Sequence, residues 1–148
     1  VMMTEHEVQV FIDGIKQYFM AVSDSKAEVG SPYLIDVKDS PVSDYMGVIE
    51  VTGARKGKVY VLAARAMLRH LLMSLGETYV TPELIVDIVG EVANTISGNV
   101  REQFGSQFVI SVPTIKEGGV GIIKETEQAF SVPFRWKSYT GHLVVCLK

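Results

Sequence analysis

The stretch PELIVDIVGEVANTISGNVREQF, Pro82–Phe104, is bounded like a helix yet carries Gly90, Asn94, Thr95, Ser97, Gly98 and Asn99, which helix interiors disfavour. Thr81 supplies an N-cap, Pro82 the first helical position, Glu83 an acid in the first turn, and Phe104-Gly105 an end. At about 100° per residue, Ile85, Val86, Val89, Val92, Ala93, Ile96, Val100 and Phe104 gather on one side, and Asp87, Glu91, Asn94, Gly98 and Arg101 on the other. Two glycines and four polar or β-branched residues cost this helix on the order of 4 kcal/mol against alanine. Burial of its large apolar side chains, at about 1.5–3 kcal/mol each, outweighs that penalty. Packing therefore holds the helix, and its polar face is available for another purpose.

Upstream, Thr4 and Glu7 form a capping-box pattern, and Val8, Phe11, Ile12, Ile15, Phe19 and Val22 follow at helical spacing. Tyr33–Val37, Tyr45–Thr52 and Val59–Ala63 are β-favouring runs, and Arg55-Lys56-Gly57 between the last two reads as a solvated hairpin turn. Arg65–Leu75 reads as a helix with Met67, Leu68, Leu71, Leu72 and Leu75 inward and Gly76 as its stop. Downstream, Phe108–Ile115, Phe130–Trp136 and Leu143–Leu147 read as strands, the second marked by Pro133 as edge or bulged. Gly118–Gly121 lacks the Lys and Ser or Thr of a phosphate loop and reads as a turn.

The chain of 148 residues is long enough for one ordinary domain with a full core. Its 47% hydrophobic and 21% charged residues are a globular composition, and a formal net charge of -3 gives no footing for nucleic acid. One cysteine, Cys146, sits in an apolar run and reads as a buried thiol. No apolar segment approaches the roughly 20 residues that span a bilayer, and the acidic stretch at Thr4–Glu7 is unlike a signal peptide. The expectation is a soluble, cytoplasmic protein with no membrane partner.

Glu91 and Asn94 are three apart on a helix, so their side chains rise together. A carboxamide is too weak a base to deprotonate water but donates and accepts at once, and so can orient one. An amide that positions the attacking water suffices in phosphoryl transfer, where positioning and electrostatics supply most of the catalysis. The carboxylate can grip a cation on a partner. Gly90 and Gly98 would leave bare backbone beside the pair, where another surface could approach. A polar helix face is equally what a merely solvated helix presents, and the residues alone leave both readings open. Metal binding finds no support, since His6, His70 and His142 fall in unrelated elements. Nucleophilic catalysis finds little, with one cysteine and no GxSxG pattern.

The stretch VGEVANTISGNV, with Asp87 before it, Glu91 and Asn94 within it and Gly98-Asn99 near its end, is followed by the strand ISVPTI with Pro113. Together they resemble the CheC/CheX/FliY phosphatases of bacterial chemotaxis, over about Tyr33 to Leu147. The resemblance is nearest to CheX, because Glu7 on the first helix is followed three later by Val10 and no second E-x-x-N pair arises there. Eighteen residues separate Asn94 from Pro113, a few fewer than in the CheC pattern, a departure that falls on the intervening loop rather than on the pair.

The resemblance implies a single α+β domain over residues 1–148: a mainly antiparallel sheet of about six strands with two long amphipathic helices and one shorter helix packed on it. It implies removal of phosphate from the phospho-aspartate of a CheY-type receiver domain, Asn94 aligning water and Glu91 pairing with the receiver's active-site lysine. Asp87, Gly90, Gly98 and Arg101 become supporting or partner-binding residues. The chain itself would bind no metal or cofactor, Mg²⁺ being carried by the partner, and would form a homodimer, through sheet edges. The alternative is a noncatalytic regulator-binding or dimerisation module of the same fold.

Overall fold

A computed structural model describes residues 3–36, 40–121 and 128–148. The elements are α1 (Glu5–Val22), β1 (Ala27–Val29), β2 (Tyr33–Ile35), β3 (Val42–Gly53), β4 (Gly57–Ala63), α2 (Arg65–Ser74), α3 (Pro82–Phe104), β5 (Phe108–Ile110), β6 (Thr114–Gly121), β7 (Ala129–Trp136) and β8 (Tyr139–Leu147). The strands form one antiparallel eight-stranded sheet in the order β1-β7-β8-β4-β3-β5, with β2 also on β7 and β6 also on β3. The sheet has eight strands rather than the expected six or so, because each outer row is divided between two strands, β1 and β2 on one side and β5 and β6 on the other.

All three helices contribute to one apolar cluster with Ile49, Val51, Val59, Val61, Phe134 and Trp136 of the sheet. Alternate residues of the same strands, Met46, Val48, Tyr60, Leu62, Val144 and Cys146, form a second buried cluster. Period-2 side-chain alternation thus buries both faces of the central strands. The α1 helix begins with the expected capping box: the Glu7 N–H donates to Thr4 Oγ1 at 3.1 Å, and the Thr4 N–H donates to Glu7 Oε1 at 2.9 Å.

Helices α1 and α3 run antiparallel, since Phe11 meets Phe104 with 6.0 Å between ring centroids while Gly14, further along α1, meets Ile96 and Val100, further back on α3. Gly14 makes that crossing close: a Cβ there would lie 3.2 Å from Val100 Cγ2 and 3.4 Å from the Ile96 carbonyl oxygen. Gly47 does the same for the sheet, where a Cβ would lie 3.0 Å from both Ala93 Cβ and the Val89 carbonyl oxygen. The middle of α3 is thus pressed onto β3 at one point and against α1 at another.

Helix α2 buries Met67, Leu68, Leu71 and Leu72, but Leu75, expected inward, is exposed beyond its last turn. Gly76 at φ 99° ends the helix: its N–H bonds to the Met73 carbonyl and the Glu77 N–H to the Leu72 carbonyl, each at 3.1 Å. The expected strand Phe108–Ile115 is two strands broken at Ser111-Val112-Pro113, where Pro113 supplies no ladder donor. Gly118–Gly121 is not a turn. It continues β6, with a bulge where Tyr45 pairs Glu117 and Ser43 pairs Val120, and Gly118 at φ 91° absorbs the distortion.

Strand β1 was not anticipated, and Val37, the expected end of β2, lies outside the described residues. Strand β7 is an inner strand, yet Pro133 faces the gap between β1 and β2, where its carbonyl accepts from the Gly30 N–H at 2.8 Å and no N–H is needed. The Arg55 turn is tied down rather than solvated: Arg55 pairs with Glu7 of the α1 cap, and its Nε donates to the Lys148 carbonyl at 2.8 Å.

Candidate functional site

Ile85, Val89, Ala93, Ile96 and Val100 are completely buried, so α3 is anchored along its length. Glu91 and Asn94 project from its other side, both exposed, about 60° apart around the axis. Neither side chain makes a hydrogen bond or ion pair with any other described residue. Asp87, one turn before Glu91, and Arg101, two turns beyond Asn94, are exposed as well.

The glycines part company. Gly98 is open, with nothing within 4 Å of a Cβ placed on it, so bare backbone is presented there as expected. Gly90 is not: it is buried, and a Cβ on it would lie 3.1 Å from Ile115 Cδ1 and 3.4 Å from Pro113 Cγ. Its missing side chain seats the start of β6 on α3, so the site's own chain, and no partner, occupies that space. Pro113 is thereby held against the helix one residue from Glu91.

Two other polar residues of α3 serve the fold. Asn99 Nδ2 donates to the Gly14 carbonyl of α1 at 3.2 Å, and Arg101 Nε donates to the Phe108 carbonyl of β5 at 3.1 Å. The first could have been read from the sequence, because Asn99 falls about 20° from buried Val92 around the helix and about 140° from Asn94. Arg101 remains exposed, its guanidinium fixed at the C-terminal end of the same stripe, where a cation suits the helix dipole. An open groove of about 580 Å³ runs along this side, lined among others by Asn94, Thr95, Gly98, Asn99, Arg101 and Ile110.

The site's electrostatic neighbour on α1 is Tyr18, which sequence reasoning did not single out. Burial first, and the negative charge of Glu91 second, push its phenol well above the usual range, so it stays protonated. The histidines lie elsewhere: His70 Nδ1 is 3.0 Å from the Tyr139 hydroxyl, and burial lowers the pKa of His142 on β8. Among the described residues no group of three His, Cys, Asp or Glu could hold a metal ion, and no helix is long and apolar enough to cross a membrane. What α3 offers is one carboxylate and one carboxamide, fixed side by side on a rigid rod and facing outward. Such a pair can hold a cation and align a water, and it contains neither a hydroxyl nor a thiol.

Residues 45–135, more than half of the 148, match the family model described as chemotaxis phosphatase CheX. No curated protein matches the chain. Among solved structures, a chemotaxis protein CheX from Desulfovibrio desulfuricans is 19% identical with a TM-score of 0.85, the match covering 97% of this chain and 99% of that one. A CheC-like superfamily protein from Shewanella sp. PV-4 is 19% identical at TM-score 0.84, covering 99% of both chains. A chain of the CheX-CheY-BeF3-Mg²⁺ complex from Borrelia burgdorferi is 18% identical at TM-score 0.80, covering 96% of this chain and 97% of that one. Those likenesses establish a shared fold, and the match over residues 45–135 establishes the kinship: the chain belongs to the CheX family of chemotaxis phosphatases.

Proposed function

We propose that this protein dephosphorylates the phospho-aspartate of a CheY-type receiver domain, with Asn94 as the catalytic residue and Glu91 as its docking partner. The observation that carries the reading is the exposed Glu91–Asn94 pair, without partners among the described residues, on the solvent side of a helix anchored by completely buried Ile85, Val89, Ala93, Ile96 and Val100. The Borrelia burgdorferi structure, described as a complex with CheY, BeF3 and Mg²⁺, supports the choice of partner.

In this reading α3 lies across the receiver's phosphorylated site. Glu91 pairs with a cation there, and Asn94 holds a water in line with the P–O bond. The water oxygen attacks phosphorus, the bond to the aspartyl oxygen breaks, and inorganic phosphate and the free carboxylate result. The receiver's Mg²⁺ balances charge on the transferring group. Because an acyl phosphate is already reactive, a fixed water supplies most of what is needed. Asp87 and Arg101 extend the contact at the two ends of the stripe, and open Gly98 lets the partner's backbone come close. The protein works in the cytoplasm as a homodimer in this proposal.

Phosphate release from a phosphorylated receiver domain tests the reading. Asn94→Ala should abolish the acceleration while leaving docking and the unfolding transition intact. Full activity in that variant would sink it, and tight docking by a wild-type protein that accelerates nothing would select the noncatalytic alternative.

A further inference from the structure

Tyr18 lies one turn after Gly14 on the flank of α1 that packs against α3, and it is 2% exposed. Its ring is fixed edge-on against Phe19 with 5.1 Å between centroids, yet its hydroxyl makes no hydrogen bond among the described residues. A buried hydroxyl without a partner costs about 1–3 kcal/mol, and native proteins keep few of them. Phenylalanine would fill the same space without that cost, so the oxygen calls for an explanation.

The antiparallel crossing supplies one. Gly14 meets α3 at Ile96 and Val100, so Tyr18, one turn further along α1, is carried toward the preceding turns of α3, where Glu91 stands. Glu91 is exposed, turns about three torsions and accepts no hydrogen bond from another described residue. A carboxylate can accept at both oxygens while a protonated phenol donates one hydrogen.

We propose that Tyr18 is a positioning residue for Glu91: when a partner covers α3, the Tyr18 hydroxyl donates to one carboxylate oxygen and holds the other toward the partner's cation. This rests on the docking role given to Glu91 above. Docking strips water from the carboxylate, and the phenol replaces it from the protein side. The lowered dielectric of the closed interface strengthens that bond. Among the described residues the free protein leaves this hydroxyl unsatisfied, and the complex satisfies it.

A double-mutant cycle tests this. Wild type, Tyr18→Phe, Glu91→Ala and the double variant are titrated with a CheY-type receiver domain loaded with beryllofluoride and Mg²⁺, and each is unfolded in urea. Tyr18→Phe should weaken binding about tenfold in the wild-type background and not at all in Glu91→Ala, where no acceptor remains, the size expected for a hydrogen bond to a charged group. In phosphate release its effect should fall on KM, with kcat unchanged. Its urea midpoint should stay level or rise, since only an unpaired hydroxyl is removed.

Equal loss in both backgrounds, or no loss in either, would overturn the proposal. So would a lowered midpoint, which would mean that the hydroxyl is already bonded in the free protein. A wild type that binds no receiver would overturn the docking reading together with this one, whereas a tightly binding wild type matched by Tyr18→Phe overturns this one alone.

Discussion

The two long helices, α1 and α3, lie side by side on the same sheet and share one apolar cluster, but they use their polar residues differently. On α1, Glu7 closes the capping box and pairs with Arg55, and Gln9 donates to Asp13 at 2.9 Å. Several of its polar groups are thus engaged locally or across the corner of the fold. On α3, Asn99 and Arg101 are likewise engaged, by α1 and β5, while Glu91 and Asn94, earlier on the helix, have no partner among the described residues. Polarity alone does not distinguish a site from a solvated face. The proposed site rests on an exposed pair carried by a well-anchored segment.

Four substitutions sharpen or break that contrast. The largest effect belongs to Asn94→Ala, for which phosphate release should fall roughly 100-fold or more with no change in melting temperature, the scale of losing one well-placed orienting group. Gly14→Val should come next. The added methyls meet Val100 and the Ile96 carbonyl, and overpacking of this kind should lower unfolding free energy by about 1–3 kcal/mol in urea titration.

Asn99→Ala should cost about 1 kcal/mol of stability through the lost bond to Gly14 and leave receiver docking unchanged. If instead it abolishes phosphate release with the fold intact, the division between the two asparagines collapses. The smallest effect is at Glu7, whose carboxyl is pushed up by burial but pulled down further by the Thr4 N–H and the Arg55 guanidinium, for a net lowering. Its contribution is present above the unfolded value of about 4.5 and fades as pH falls through the lower folded value. Glu7→Gln should therefore narrow the stability difference between pH 7 and pH 3, by up to about 1 kcal/mol, in parallel urea titrations.

How far the sequence carried the reading depends on whether a feature is fixed by near or distant neighbours. The bounds of α3 follow from Thr81, Pro82 and Gly105, all local, and the structure places the helix at Pro82–Phe104. The exposure of Glu91 and Asn94 follows from helical periodicity alone. Strand β1 is three residues long, too short for a period, and exists because Trp136 and its neighbours lie opposite. Gly90 reads as open backbone until β6 is seen to cover it, and Tyr18, outside the α1 apolar stripe, stands out only once its buried hydroxyl is found without a partner among the described residues. Arg55 looked like a turn charge because Glu7 and Lys148 are remote in sequence.

The composite outer rows of the sheet have a bearing on solubility. One flank is β1 and β2, stepping around Pro133; the other is β5 and β6, stepping around Pro113. A visiting strand meets two three-residue runs on the first flank, and on the second a three-residue run and an eight-residue one bulged at Gly118, each flank with a break in direction. Long, straight margins template the stacking of chain upon chain, and interrupted ones blunt it. The described flanks of this sheet are thereby poor templates for polymerisation.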